Sequence, residues 1–168
     1  IELDWITVKG PAFPGIDNRL LALHLVRLGF TPAVLFDPQG VPQLASEAIR
    51  HSAVLVERGR FAPVTRLNLE MLALAREAFL ADGQTAAADV REIMEITMKN
   101  LRDRGQAEDA DFLARVDLLA ATGKLVLVSD LGAFHDLGEY LAARTVKRTG
   151  LVLGLPLVLP IGPFEVGQ

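Results

Sequence analysis

Apolar and polar positions along this chain fall into a recurring order: an amphipathic helix, a glycine, an apolar run, an Asp. "NRLLALHLVRLGFTPAVLFD" (18–37) carries it with Gly29 and Asp37, and "DFLARVDLLAATGKLVLVSD" (111–130) with Gly123 and Asp130. A third copy, "LGEYLAARTVKRTGLVLGLPLVL" (137–159), sets Gly150 at the same point but lacks the Asp. Glycine stops a helix cheaply because it takes the left-handed conformation. The β-branched apolar run after it reads as a strand buried on both faces. Helices alternating with such strands predict an α/β domain with a mainly parallel sheet.

The periodicity predicts strands at Leu3–Val8, Ala33–Phe36, Ala53–Glu57, Leu125–Ser129 and Leu151–Leu155. It predicts helices at Asn18–Leu28, Pro42–Arg50, Arg66–Ala81, Ala86–Arg104, Asp109–Thr122 and Phe134–Lys147. Asp17, Thr65 and Asp109 are N-cap candidates. "FDPQGVP" (36–42) has turn chemistry. The long helical middle, broken at "ADGQT" and "RGQAED", reads as a helical insertion between the third and fourth strands. The helix Asn18–Leu28 is apolar almost all round, which marks a helix that is buried or lies in a homo-oligomer contact.

Composition narrows the picture. The chain has 168 residues, 51% of them apolar, enough for one domain over 1–168 with a sizeable core. A fragment of a longer chain is one reading of a start at Ile1. A formal net charge of −4 without a basic run argues against nucleic acid as the main partner. The absence of cysteine excludes disulfides and thiolate metal sites and fits a cytoplasmic location. No segment reads as a membrane span, since the longest apolar stretch, 150–164, is short and holds three prolines.

In open parallel sheets, ligands bind outside the carboxyl ends of the strands. Three loops are expected there: "KGPAFPGIDN" (9–18), "ERGRFAPVT" (57–65) and "SDLGAFHD" (129–136). Helix N-termini behind such loops suit an anion. Arg58 and Arg60 add positive charge beside the second, and Asp130 is expected on the same edge. The same loop also has a packing explanation. Gly59 permits the bend, Pro63 stiffens it, Thr65 caps the helix and Phe61 plugs the core.

Gly59, Phe61, Pro63 and Thr65, at alternate positions and followed by Asn68, resemble the signature of nucleotidylyltransferases, in particular the nicotinate or nicotinamide mononucleotide adenylyltransferases. That signature is G-x-F-x-P-x-T-x-x-H, and four of its five fixed positions match. The resemblance implies a Rossmann-like three-layer sandwich with the turn backbone lying along nucleotide phosphates. It implies a nucleotide or phosphorylated small molecule as partner, with magnesium accompanying the nucleotide. Gly59 and Phe61 would form the backbone cradle, flanked by Arg58, Arg60, Ser129 and Asp130. Thr65 and Asn68 would take the catalytic positions, Thr65 as hydroxyl donor and Asn68 where the family has His. Asn donates a hydrogen bond but carries no charge, and phosphoryl transfer depends on charge placed where it develops. The family's second signature, S-x-T-x-x-R, begins at none of the three serines. The expectation is therefore nucleotide binding with weakened chemistry. The alternative is a non-enzymatic interaction or scaffold module whose apolar excess is an assembly surface.

Other constellations carry bland readings. Ser129, Asp130, His135 and Asp136 lack a nucleophile-elbow pattern. Asp130 is expected as a cap and His135 as a surface residue. His24 reads as packed or interfacial, and His51 as partly exposed. Glu92, Glu95 and Lys99 stand at helical spacing and predict a solvated face. Trp5 and Tyr140 form no stacking platform.

Overall fold

The computed structural model describes residues 5–102 and 109–153. In chain order the elements are α1 (Asn18–Arg27), β1 (Ala33–Phe36), β2 (Pro42–Gln43), α2 (Ala45–Ala48), β3 (Ala53–Arg58) and α3 (Arg66–Leu80). They continue with β4 (Val90–Thr97), α4 (Met98–Arg102), α5 (Asp109–Ala120), β5 (Leu125–Ser129), α6 (Phe134–Ala142) and β6 (Thr149–Val152). The strands form one mixed sheet in the order β2-β1-β5-β4-β3-β6. β3 is parallel to β4 and β6, and β4 is parallel to β5. β1 runs antiparallel to β5 and to β2.

The two α-helix-to-strand units end as their composition predicts. Gly29 and Gly123, just beyond α1 and α5, both have positive φ. Asp17 caps α1 through the Arg19 N–H, and Thr65 caps α3. The Asp37–Val41 turn closes a hairpin, with the Asp37 carboxylate accepting from the Gln39 and Val41 N–H groups. The residues before Asp109 lie outside those described, so its expected capping role does too.

Alternation along the strands sends side chains to two cores. Leu55, Met94, Ile96, Val126 and Val128 pack with Leu23 and Val26 of α1, Leu72 of α3 and Phe112, Val116 and Leu119 of α5. Val54, Val56, Ile93 and Leu127 pack on the other side with Ala45 of α2 and Leu137, Tyr140 and Leu141 of α6. Each fully buried Leu or Phe contributes about 1.5–3 kcal/mol of transfer free energy. Leu23, Leu25 and Val26 make α1 a core helix, while Leu28 beyond it is exposed.

The main correction concerns the expected helix at 86–104. A 3₁₀ turn at Ala87–Asp89 leads into β4, which lies between β3 and β5 in the middle of the sheet. There is no helical insertion at that point. Val90, Ile93, Ile96 and Thr97 favour an extended chain, and pairing on both sides overrides the Glu and Lys spacing that imitates a helix. Glu92 and Glu95 consequently project to opposite faces instead of sharing one.

Smaller differences follow the same logic. Residues 5–8 of the expected first strand are not extended into the sheet; the Trp5 indole donates to the Pro42 carbonyl instead. Pro42–Gln43 pairs with β1, which leaves only Ala45–Ala48 helical. α6 stops at Ala142, and the Thr145 hydroxyl donates to the Ser52 carbonyl at 2.6 Å, turning the chain toward β6. Gly150 lies within β6, where a Cβ would stand 3.0 Å from Leu55 and Phe79, so it serves close packing and not a helix stop. Among the described residues no helix is long and apolar enough to cross a membrane.

Candidate functional site at the strand carboxyl ends

β3, β4, β5 and β6 point the same way, so the loops leaving β3 and β5 share one rim, with β4 between them. Because β1 is antiparallel, its amino end reaches this rim, and the Asp130 N–H donates to the Pro32 carbonyl at 2.8 Å. The loop 9–18 does not join it. Among the described residues it follows no strand, and its end, Gly15–Asn18, lies with Gln39–Pro42 around a cleft at the opposite end of the sheet.

Arg58 ties the two loops together. Its Nε and Nη2 donate to both oxygens of Glu95 at 2.6 and 2.8 Å. Its Nη2 and Nη1 reach the carbonyls of Leu131 and Gly132 at 3.1 Å, and its guanidinium lies 4.7 Å from the Phe134 ring centroid. The Ser129 hydroxyl donates to the same carboxylate. Glu95 and Ser129 are fully buried. A fork-shaped cation paired with a buried carboxylate holds the loops in place. Arg58 and Ser129, expected beside a ligand, are thus committed to this network.

On the other face of the sheet, Thr65 and Asn68 close on each other at the start of α3. The Thr65 hydroxyl donates to Asn68 Oδ1 at 2.7 Å, and the Thr65 N–H donates to the same oxygen at 3.0 Å. The Asn68 N–H returns a bond to Thr65 Oγ1, completing a capping box. Asn68 Nδ2 donates to Glu57 Oε1 at 3.0 Å. Glu57 is 2% exposed, and its Oε2 is buried without a hydrogen-bond partner. Burial raises the Glu57 carboxyl above its ordinary value, and the Asn68 hydrogen bond offsets part of the rise.

The loop itself folds tightly. The Gly59 N–H donates to the Glu95 carbonyl at 3.0 Å. Phe61 has φ 42°, and its ring tucks back into the core. A Cβ on Gly59 would stand 2.8 Å from that ring, so only glycine fits beneath it. The Ala62–Pro63 peptide is cis. Arg60 and Asp130 are exposed at the rim. Asp130 does not cap α6; the Asp136 carboxylate accepts the Ala133 N–H at 3.1 Å. His135 is exposed and pairs with Glu139, and His24 and His51 are exposed as well.

Glu57 and Glu95 are the residues that sequence reasoning passed over. Glu95 stood at helical spacing from Glu92, and Glu57 read as an ordinary strand end. The usable signal was a Glu set inside an apolar β-branched run, since a buried charge needs a partner and Arg58 follows one strand away. Among the described residues no group of three His, Asp or Glu side chains could hold a metal ion.

No protein-family model, curated protein or solved structure matches this chain.

Proposed function

We propose that the rim formed by Gly59–Asn68 and the β5–α6 loop binds a nucleotide or another phosphorylated small molecule, within a Rossmann-like three-layer arrangement. One observation carries this reading. Taken in chain order, the four parallel strands β3, β4, β5 and β6 lie as 3-2-1-4, with β3 at the point where the order reverses. The helices change face with it: α3 and α5 contribute to one core and α6 to the other. Doubly wound sheets take their ligands at this switch point. The nucleotidylyltransferase-like loop 59–65 leaves the strand at that position and enters the N-terminus of a 15-residue helix.

The reading is one of binding. Thr65 and Asn68 satisfy each other in a cap, and Asn68 brings no charge to the position where the resembling family places His. Arg60 is the rim cation beside the loop. The test is a thermal-shift titration with ATP. At a hundred times Kd, mass action adds about 2.7 kcal/mol, or roughly 5–11 °C for a domain of this size. Arg60→Ala should remove most of that shift. A flat titration with ATP and tripolyphosphate alike contradicts the proposal.

A further inference from the structure

Glu57 poses a question that packing does not answer. It stands at the end of β3, under the first turn of α3, with one oxygen held by Asn68 Nδ2 at 3.0 Å. Its second oxygen is buried and has no partner. Its neighbours in the core on this face include Leu55, Phe61 and Val152, none of which offers a side-chain donor. Arg58, the adjacent cation, points to the other face and is bound by Glu95. A buried acceptor left without a donor is unfavourable and calls for an explanation. Asn68, which holds the other Glu57 oxygen, is half-buried, and Thr65 beside it is exposed.

A bare phosphate supplies that donor poorly: at neutral pH it brings mainly acceptors and a negative charge that a buried carboxylate repels. A nucleoside supplies one through a sugar hydroxyl or an exocyclic amino group. Resting on the phosphate-binding reading above, we propose that Glu57 is a specificity residue that accepts a hydrogen bond from the nucleoside part of the ligand, so that the rim selects a nucleotide over a simple phosphate. Glu57 takes the donor on Oε2, Asn68 keeps Oε1 in place, and the α3 N-terminus faces the phosphates. Glu57→Gln is the informative change. It preserves the acceptor that Asn68 uses and turns the free oxygen into a donor.

Isothermal titration of the wild type and Glu57→Gln with ATP and with inorganic tripolyphosphate decides the matter. The wild type should bind ATP more tightly than tripolyphosphate. The variant should lose about tenfold or more for ATP, the loss expected for one hydrogen bond to a charged group, and less than about threefold for tripolyphosphate. Equal losses for both probes, or no loss for ATP, would overturn the inference and leave the oxygen to an internal water. Wild-type protein that binds neither probe would remove the phosphate reading itself, and this inference with it. If Glu57→Gln does not fold, carboxyl-carbon NMR of glutamate-labelled wild type replaces it. The Glu57 resonance should move with ATP and stay still with tripolyphosphate; any other pattern overturns the assignment.

Discussion

Removing Arg58 is the perturbation whose effect on stability the structure sets most firmly. The Arg58 side chain is 9% exposed and that of Glu95 0%, and the pair is joined through both carboxylate oxygens. Arg58→Ala leaves a carboxylate in the core with, among the described side chains, only the Ser129 hydroxyl as partner. Breaking one side of a buried pair costs about 3–5 kcal/mol, or roughly 6–20 °C in melting temperature at this chain length. It also frees the Leu131 and Gly132 carbonyls, so the β5–α6 loop loses its tie to β3. Urea denaturation of Arg58→Met, Glu95→Met and the paired change Arg58→Met with Glu95→Met forms a double-mutant cycle. The paired change should be far milder than the sum of the single changes, with a coupling of about 2 kcal/mol or more. If each single change costs under about 1 kcal/mol, as an exposed pair would, the clamp described here is not formed. Arg58 would then be available to a ligand.

Three further outcomes are expected. Burial raises the Glu57 carboxyl, so in the pH window between its unfolded and folded values the folded state holds a proton that the unfolded chain has released. Its effect on stability is therefore absent below the unfolded value, about 4.3, and stability falls as pH rises from there through the raised folded value. Glu57→Gln should flatten that fall in urea melts taken across the window. Gly59→Ala should lower stability by about 1–3 kcal/mol, the range for overpacking, because its Cβ meets the Phe61 ring at 2.8 Å; a neutral result would show that the ring is not seated there. Thr65→Ala opens the capping box of α3 and should cost about 0.5–2 kcal/mol, read by circular dichroism during thermal melting, with Thr65→Ser recovering most of it.

The elements that could be read from the chain were those whose local chemistry and tertiary role agree. β3 and β5 are apolar runs bounded by turn residues, and α3 has Thr65 as its cap and an apolar stripe. β4 was opaque because Glu92, Glu95 and Lys99 repeat at helical spacing. What decides its conformation is pairing with β3 and β5, and the residues that supply this pairing are distant in sequence. The antiparallel β1 was opaque for a related reason. A four-residue apolar run carries no direction. The loop 9–18 is at the other end of the sheet for a different reason: residues 5–8, expected to lead into it as a strand, do not pair. At the site, Gly59, Phe61, Thr65 and Asn68 were visible as a motif, yet their contacts were not. Arg58 looked like a ligand cation because sequence shows its charge and hides the buried Glu95 that claims it.

Amide-resolved NMR during an ATP titration tests the central claim most directly. Shifts should concentrate in Gly59–Asn68 and in residues 130–134, at the carboxyl ends of β3 and β5. Shifts centred instead on Asp37, Glu92 and Lys124, around the cleft at the other end of the strands, would contradict it.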